Sequence, residues 1–322
     1  MGKIYKVIVA GKIHTDGIDL LKEVNNFDVF VLPDATQETL EQNLEEADAI
    51  LLRLQSFDKK MIDNCPKLKI LSRNGVGFDR IDIPELTRRN IPLTIVGDVN
   101  SSSVAEHTIM FILNLLKNAS IHDEMVRNNK WQDRDQLISN DFAGRELLIV
   151  GYGRIGQKVA TLASAFGANI SIYDPYYKNS AEKDIDYKFY DTFDEALSNA
   201  NIISLHAPGT EKPIIGEKEL NLLQSDCIIV NTSRGSHIDF SALSDALSKN
   251  KIRAAGLDVF PNEPPETDRE KIFKLDNIIF SPHIAGLNNE CASRMAMNSA
   301  QNIIDALNGS LKEEFVVNKE VL

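Results

Sequence analysis

The chain has 322 residues, of which 43% are hydrophobic and 25% charged, and its formal net charge is −12. This length suffices for two domains with their own cores, and the composition is ordinary for a globular protein. The acidic balance disfavours nonspecific binding to nucleic acid, which requires clustered lysine and arginine. The sequence shows neither a signal peptide nor an apolar span of roughly 18 residues, so we expect a cytoplasmic protein that does not bind membranes.

The first third of the chain alternates short apolar runs with helical patterns. Strands are predicted at 7–10, 29–31, 49–52, 68–71 and 93–95, and helices at 15–24, 36–46, 58–64 and 84–89. Such alternation predicts βαβ units and a parallel sheet that is covered on both faces.

A helix predicted at 104–116 connects this series to a second one, and residues 100–103 supply good N-cap side chains. The second series has strands predicted at 147–150, 170–173, 201–205, 227–231, 252–257 and 277–280. Six parallel strands in this order are typical of a complete dinucleotide-binding domain.

The most informative segment is Leu147–Gly156, in which a buried strand runs into G-x-G-x-x-G and the start of a helix. In this context Gly151 allows the tight turn, Gly153 lets a pyrophosphate approach the backbone, and Gly156 lets helix and strand pack closely. The helix N-terminus, at Arg154 and Ile155, offers N–H groups to the phosphates. We therefore predict a dinucleotide cofactor.

The next apolar run ends at Asp174, the position of the acid that binds the adenosine ribose hydroxyls. A carboxylate there repels a 2′-phosphate, and no arginine follows it, so NAD is favoured over NADP. Lys178 is the one nearby residue that could weaken this preference.

The chain divides near residue 100. We predict an NAD-binding Rossmann domain at 100–287 and a substrate domain at 1–99 and 288–322. The discontinuity requires the helix predicted at about 289–307 to return to the first domain, which periodicity alone does not show. The fold class is α/β, with two doubly wound parallel sheets, the substrate domain being flavodoxin-like.

The three cysteines are not predicted to form disulfides or to bind a metal. Cys65, Cys227 and Cys291 are far apart and form no CxxC pair, so we expect no disulfide framework and no metal site.

Three further motifs follow predicted strands. They are Asn231-Thr232-Ser233-Arg234-Gly235, Leu257–Pro264 and Ser281–Gly286. Together with the glycine motif, and in this order, they resemble the D-isomer-specific 2-hydroxyacid dehydrogenase family over essentially the whole chain. The resemblance extends to phosphoglycerate dehydrogenases of a short form without a C-terminal regulatory domain.

The resemblance implies that Arg234, Glu263 and His283 are the catalytic residues. Each follows a parallel strand, where open α/β sheets bind ligands. A histidine suits proton exchange with the substrate oxygen, and Glu263 would fix its tautomer and favour its imidazolium form. The guanidinium of Arg234 would bind the substrate carboxylate and carbonyl oxygen.

Other cofactor contacts are expected from the same motifs. They are Val104, His206, Ser233 and Asp258, the last near the nicotinamide carboxamide. His206 could instead be a packed loop residue, and Asp258 could merely cap its loop. His107 is expected to be structural, while His14, His122 and His237 are expected to be surface or loop residues.

The substrate side is predicted from the loop after the strand at 68–71. Gly75, Val76 and Gly77 allow close approach of a small carboxylate, as the family resemblance implies. The family pattern continues Asp-Asn-Ile-Asp, whereas this chain has Arg80 in place of the asparagine. Arg73 and Arg53 precede this and a neighbouring loop, and could bind phosphate. An ordinary surface arginine is the alternative for Arg73.

These arginines favour 3-phosphoglycerate and 3-phosphohydroxypyruvate, and hence serine biosynthesis, over glyoxylate or hydroxypyruvate. The resemblance also implies a cleft between the domains and a homodimer, to which the polar segment 120–143 with Trp131 could contribute an arm.

A different class of function stays open. The C-terminal-binding-protein corepressors resemble this family and retain its catalytic residues, yet act as NAD-sensing scaffolds. Turnover of a 2-keto acid distinguishes the two classes.

Overall fold

The computed structural model describes residues 3–136, 139–177, 187–267 and 271–322. The chain forms two compact units, one of Met1–Asn100 with Asn288–Leu322 and the other of Ser101–Leu287. Each unit is built on a parallel sheet of its own, so the predicted class of two α/β domains is confirmed. Among the described residues, no helix is both long and apolar enough to cross a membrane.

The first unit contains a five-stranded parallel sheet. Its strands are β1 (Tyr5–Ala10), β2 (Phe27–Leu32), β3 (Ala49–Leu52), β4 (Ile70–Arg73) and β5 (Leu93–Thr94). Its helices are α1 (Thr15–Lys22), α2 (Gln37–Glu41), α3 (Lys59–Asp63) and α4 (Ile83–Arg88). The strand order β2-β1-β3-β4-β5 is the flavodoxin-like one, which changes direction between β1 and β3.

The second chain segment of this unit contributes a long helix over Asn289–Leu307, the last of the α-helices and labelled α11 below. This helix packs against α1, β3 and β4, which all belong to the first chain segment of the unit. The contact with α1 is close, because a Cβ at Gly17 would lie 2.5 Å from the carbonyl oxygen of Ala296. A glycine is therefore required where the two helices cross.

The second unit contains a seven-stranded parallel sheet. Its strands are β6 (Glu146–Val150), β7 (Asn169–Tyr173), β8 (Lys188–Phe189), β9 (Ile202–Leu205), β10 (Ile228–Asn231), β11 (Ala254–Leu257) and β12 (Ile278–Phe280). Its helices are α5 (Ser101–Lys117), α6 (Ala119–Arg127), α7 (Arg154–Ala165), α8 (Phe193–Ser198), α9 (Glu217–Leu220) and α10 (Phe240–Ser248). The order β12-β11-β10-β9-β6-β7-β8 is that of a Rossmann fold, extended by one strand.

Strand β6 shows why this sheet is buried on both sides. Leu147 and Ile149 belong to one apolar cluster, formed with residues of α5 and α7, while Leu148 and Val150 belong to the cluster on the opposite face. A strand covered on both faces is apolar at every position rather than at alternate ones. The strand order changes direction at β6, between β7 and β9, which places the ligand site at their carboxyl ends.

The structure differs from the predicted elements at several boundaries. Strand β8 was not predicted, because two exposed residues show no apolar period. Helix α5 begins at Ser101, so the serines expected to precede it form its first turn. Helix α2 ends at Glu41 rather than at residue 46. Strand β4 is shifted by two residues from the predicted 68–71, so Arg73 ends the strand instead of following it.

Candidate active site

The glycine motif forms the turn between β6 and α7. Gly151 has a φ of +92°, and a Cβ there would lie 2.7 Å from the backbone nitrogen of Ala207. A Cβ at Gly156 would overlap the carbonyl oxygen of Gly151, so the helix can approach the turn only without a side chain there. At Gly153, by contrast, no atom lies within 4 Å of a Cβ built on the backbone.

This turn fits a dinucleotide pyrophosphate. Gly153 is the N-cap of α7 and supplies no side-chain acceptor to the first-turn N–H groups. Gly153 and Arg154 are exposed, and Ile155 is half-buried. The open position at Gly153 is where a phosphate would approach the backbone, since a side chain would fill that space.

Asp174 follows β7 and is bonded directly to the glycine turn. Its Oδ2 accepts a hydrogen bond of 2.7 Å from the backbone nitrogen of Tyr152. Its Oδ1 accepts from the nitrogens of Tyr176 and Tyr177, at 2.9 and 3.2 Å. Each carboxylate oxygen can accept more than one hydrogen bond, so these contacts are compatible with ribose binding. Lys178 lies outside the described residues.

His206 follows β9 and is held against the sheet. Its Nε2 lies 2.8 Å from Oγ of Ser204, and among the described residues its buried Nδ1 has no hydrogen-bond partner. Burial, and secondarily the nearby His237, lowers the pKa of His206 to about 3. The ring is therefore neutral at physiological pH.

Arg234 lies in the turn after β10, and its backbone is held by Asn231. The Asn231 Nδ2 donates to the carbonyl of Arg234 at 2.8 Å, and its Oδ1 accepts from the nitrogen of Ser233 at 3.1 Å. The Arg234 guanidinium donates through Nη1 to the carbonyl of Ser233 at 2.8 Å. A Cβ at Gly235 would overlap the carbonyl of Phe260, so this turn packs directly on the segment that leads to Glu263.

Glu263 and His283 form a hydrogen-bonded pair. The Glu263 Oε2 lies 2.8 Å from His283 Nδ1, and the Glu263 Oε1 accepts from the backbone nitrogen of Phe260 at 3.2 Å. The side chain of His283 is 53% exposed and that of Glu263 27% exposed. His283 has a φ of +54°, a backbone conformation that L residues seldom adopt and that is concentrated at functional sites.

Asp258 holds the loop that carries His283. The residue is 0% exposed, and its carbonyl accepts from the nitrogen of His283 at 2.8 Å. Its carboxylate accepts from the nitrogens of Ile284 and Ala285, both at 2.9 Å, and from the hydroxyl of Ser281. These hydrogen bonds make the carboxylate a buried cap of the loop, and its contact with the nicotinamide carboxamide stays a prediction.

His107 and Val104 lie on α5. The His107 Nε2 is 2.9 Å from Oγ of Ser281 and 3.9 Å from a carboxylate oxygen of Asp258. Burial lowers the pKa of His107, opposed by Asp258. Val104, an expected cofactor contact, is 5% exposed, and its carbonyl accepts from the hydroxyl of Thr108.

The predicted substrate loop of the other unit is organised by Arg73. Its Nε donates to the carbonyl of Gly77 at 3.0 Å, and its Nη1 to that of Asn74 at 2.8 Å. Arg73 is half-buried. A Cβ at Gly75 would lie 3.1 Å from Arg73 Nη1, and Val76 packs against an apolar cluster of its own unit.

Arg53 follows β3 in the same unit and has a different environment. Its Nη1 donates to the carbonyl of Lys12 at 2.8 Å, and it helps to line a cavity of about 210 Å³. Burial of the guanidinium lowers the pKa of Arg53. In the part of the chain that the structure describes, this half-buried guanidinium has no carboxylate partner.

His237 was expected at the surface or in a loop, and the surface part of that prediction is wrong. The residue is 0% exposed in a short 3-10 turn, and its ring bonds to Ser233 and Pro208. The anchoring roles of Asn231 and Ser281 were also missed. No periodic signal marks them, because their contacts join segments that are distant in sequence.

The comparisons with known proteins agree with this geometry. The model of the D-isomer specific 2-hydroxyacid dehydrogenase family, NAD binding domain, matches residues 109–285. The glyoxylate reductase of Thermococcus litoralis is 35% identical, over 98% of both chains. The D-3-phosphoglycerate dehydrogenase of Methanocaldococcus jannaschii is also 35% identical, over 97% of this chain but only 59% of its own length.

The structural comparison leads to the same fold. The TT0316 protein of Thermus thermophilus superposes with a TM-score of 0.88 at 27% identity, covering 97% of this chain and 99% of that one. The family model covers more than half of the chain, and the relatives cover nearly all of it. The chain belongs to the D-isomer specific 2-hydroxyacid dehydrogenase family, whose members are oxidoreductases, and it contains that family's NAD-binding domain.

Proposed function

We propose that this chain interconverts a D-2-hydroxy acid and its 2-keto acid, with His283 as the proton donor and acceptor. The observation that carries the proposal is the 2.8 Å hydrogen bond between His283 Nδ1 and Glu263 Oε2. With Nδ1 engaged by a carboxylate, Nε2 is the nitrogen that exchanges a proton with the substrate oxygen. The carboxylate of Glu263 holds the ring in the orientation and tautomer that this exchange requires.

Arg234 would bind the substrate. Its planar guanidinium matches the geometry of a carboxylate and would also donate to the carbonyl oxygen that becomes negative during reduction. The turn that carries Arg234 is fixed by Asn231 and packs directly against the segment that leads to Glu263. Arg234 and Glu263 are therefore held by segments that contact each other.

The residues that would hold NAD are those of the glycine turn, together with Asp174. The N–H groups at Gly153, Arg154, Ile155 and Gly156 would bind the pyrophosphate, and Asp174 the adenosine ribose. Val104, His206, Ser233 and Asp258 remain proposed contacts. When bound, the reduced cofactor supplies the hydride for the carbonyl carbon.

For the substrate we favour a phosphorylated 2-keto acid, 3-phosphohydroxypyruvate. The support is Arg53, a half-buried guanidinium that forms no ion pair with a described residue and borders a cavity of about 210 Å³, which Lys12 and Asp34 also line. Desolvating a cation without a counter-charge is unfavourable, and a bound phosphate would relieve that cost. The phosphoglycerate dehydrogenase relative is consistent with this choice.

Glyoxylate or hydroxypyruvate is the second candidate, and a specific observation favours it. The Arg73 guanidinium bonds to the carbonyls of its own loop, at Asn74 and Gly77, and so acts there as an internal support. Moreover, the relative from Thermococcus litoralis, which is matched over 98% of its length, is named a glyoxylate reductase.

A pair of substrates distinguishes the phosphorylated candidate from the unphosphorylated one. 3-Phosphohydroxypyruvate and hydroxypyruvate differ only by the phosphate, so the ratio of their kcat/KM values isolates its recognition. We expect a ratio of about one hundred, which corresponds to ~2.7 kcal/mol of transition-state discrimination. In Arg53→Gln the ratio should fall at least tenfold, and in Arg127→Gln, which removes an exposed arginine on α6, it should not change. A ratio near one in the wild type would favour the second candidate.

Turnover also tests the wider proposal. If the protein binds NADH but reduces none of 3-phosphohydroxypyruvate, hydroxypyruvate, glyoxylate and pyruvate, the dehydrogenase proposal fails and the NAD-sensing scaffold is favoured.

We also propose a homodimer. Ile121 and Val126 on α6, and Trp131 after it, are large apolar side chains that are 36%, 58% and 58% exposed. Sedimentation of the wild type and of Val126→Lys would test whether this segment forms the contact. A monomeric wild type would contradict the proposal.

A further inference from the structure

His237 connects two loops of the NAD-binding unit. Its ring is fully buried, and both ring nitrogens have partners from different segments. The Nδ1 lies 2.8 Å from Oγ of Ser233, next to Arg234, and the Nε2 lies 2.9 Å from the carbonyl oxygen of Pro208, in the loop after β9. The ring is therefore a bridge between these two loops.

The chemistry of the partners assigns the proton. The carbonyl of Pro208 can only accept, so Nε2 of His237 must carry a hydrogen. In the neutral ring Nδ1 is then an acceptor, and the single hydroxyl hydrogen of Ser233 is the donor that satisfies it, at the shorter of the two contacts of that hydroxyl. Oδ1 of Asn231 is satisfied separately, by the backbone nitrogen of Ser233. One neutral tautomer thus satisfies both ends of the bridge.

At one end, the bridge reaches the backbone of Arg234. The carbonyl of Arg234 accepts from the backbone nitrogen of His237 at 3.1 Å and from Nδ2 of Asn231 at 2.8 Å. Ser233 bonds to Asn231 through its backbone nitrogen and to His237 through its hydroxyl. A movement of the His237 ring would therefore move the turn from which the Arg234 side chain projects.

At the other end, the bridge reaches the glycine turn. Pro208 follows Ala207, whose backbone nitrogen would lie 2.7 Å from a Cβ at Gly151. The two backbones pack without an intervening side chain. Occupation of the glycine turn by a dinucleotide would thus restrain the segment that holds Nε2 of His237.

We propose that His237 is a positioning residue that couples NAD binding to the placement of Arg234, and so to substrate affinity. This inference rests on the proposed function, since it requires Arg234 to bind the substrate carboxylate. Direct packing and hydrogen bonds connect the two ends, so the coupling needs no change in the fold.

The test measures the dissociation constant of oxalate, an unreactive analogue of a 2-keto acid, with and without saturating NADH. We define the coupling factor as the oxalate dissociation constant without NADH divided by that with NADH, so a factor above one means that NADH strengthens oxalate binding. We expect this factor to be at least five in the wild type and to fall to about one in His237→Leu, with the NADH dissociation constant unchanged within twofold. His237→Gln keeps a donor for Pro208 and His237→Asn keeps an acceptor for Ser233, so each should lose coupling by breaking the opposite end. Ser236→Ala, an exposed neighbour, is the control.

A merely structural role would lower the melting temperature without altering the coupling factor. The proposal is overturned by a wild-type coupling factor of one, or by a variant that folds and keeps the wild-type factor. If His237→Leu does not fold, the same criterion applies to the Gln and Asn variants. Arg234→Ala separates the two proposals: unchanged oxalate affinity there refutes the role of Arg234, whereas lost affinity with unchanged coupling in the His237 variants refutes only the bridge.

Discussion

Glu263 is bonded through Oε2 to Nδ1 of His283 and through Oε1 to the backbone nitrogen of Phe260, so one carboxylate orients the histidine and is itself held by its loop. His283 is half-exposed, and its backbone nitrogen donates a hydrogen bond to the carbonyl of the buried Asp258. The proposed proton donor thus has a fixed orientation and an accessible ring.

Replacing Glu263 by glutamine should retain a side chain of similar size but remove the charge. The amide can donate to Nδ1 and so stabilise the wrong tautomer. We expect kcat to fall by about 10² to 10⁴, with the NADH dissociation constant nearly unchanged. Steady-state rates and fluorescence titration with NADH measure the two effects. A kcat within threefold of the wild type would show that the carboxylate is not needed.

Gly153 and Gly156 should respond differently to the same change. A Cβ at Gly156 would overlap the carbonyl of Gly151, so Gly156→Ala should lower the free energy of unfolding by roughly 1–3 kcal/mol. A Cβ at Gly153 meets no atom within 4 Å, so Gly153→Ala should fold normally but bind NADH at least tenfold more weakly. Urea denaturation and NADH titration of both variants test this. Normal NADH affinity in Gly153→Ala would place the pyrophosphate elsewhere.

Asp174 should affect both cofactor choice and stability. Asp174→Ala removes the charge that disfavours a 2′-phosphate and leaves the nitrogen of Tyr152 without its acceptor. We expect weaker NAD binding, reduced discrimination against NADP, and a loss of about 1–3 kcal/mol in the free energy of unfolding. Asp174→Asn keeps an acceptor and should show mainly the change in selectivity. Unchanged NAD-to-NADP preference in both variants would contradict the ribose role.

His206 should make the free energy of unfolding depend on pH. Its pKa is lowered in the folded state to about 3, from the ordinary value of 6.5, because burial disfavours the charged ring. Below pH 6.5 the unfolded state therefore binds a proton that the folded state does not, and stability is lost as the pH falls towards 3. The maximal slope is about 1.4 kcal/mol per pH unit.

Urea denaturation at pH 7, 6 and 5 tests this against His206→Gln, which can still bond to Ser204. Relative to the variant, the wild type should lose up to about 2 kcal/mol between pH 7 and 5, because the other titrating groups are common to both proteins. His122→Gln, on α6, should follow the wild type. Parallel curves for wild type and His206→Gln would contradict the prediction.

The sequence was most informative where local pattern and burial agree. The strand, turn and helix at 147–156 were predicted because an apolar run, three glycines and the following acid all require the same βαβ unit. Strand β8 was missed because two exposed residues have no period, and only pairing with β7 defines it. The return of α11 to the first unit likewise depends on its contact with α1, which no local signal reveals.

The candidate site shows the same difference between local motifs and contacts over long sequence distances. Arg234, Glu263 and His283 were predicted to be catalytic from motifs, but the residues that hold them in place were not predicted. The cap that Asp258 provides for the His283 loop is one such contact, and His237 is buried although nothing in its neighbours predicts it. Such roles depend on hydrogen bonds between loops that follow different strands, and sequence patterns describe only segments that are continuous in the chain.

The most direct test of the account is the rate of NADH oxidation with a 2-keto acid in His283→Ala, measured together with its NADH dissociation constant. The wild type should form one molecule of hydroxy acid for each molecule of NADH that it oxidises. In the variant kcat should fall by about 10³, since the proton donor is lost, while NADH binds as before. A variant that retains kcat within tenfold of the wild type, or that loses NADH binding, would contradict the assignment of His283 as the proton donor.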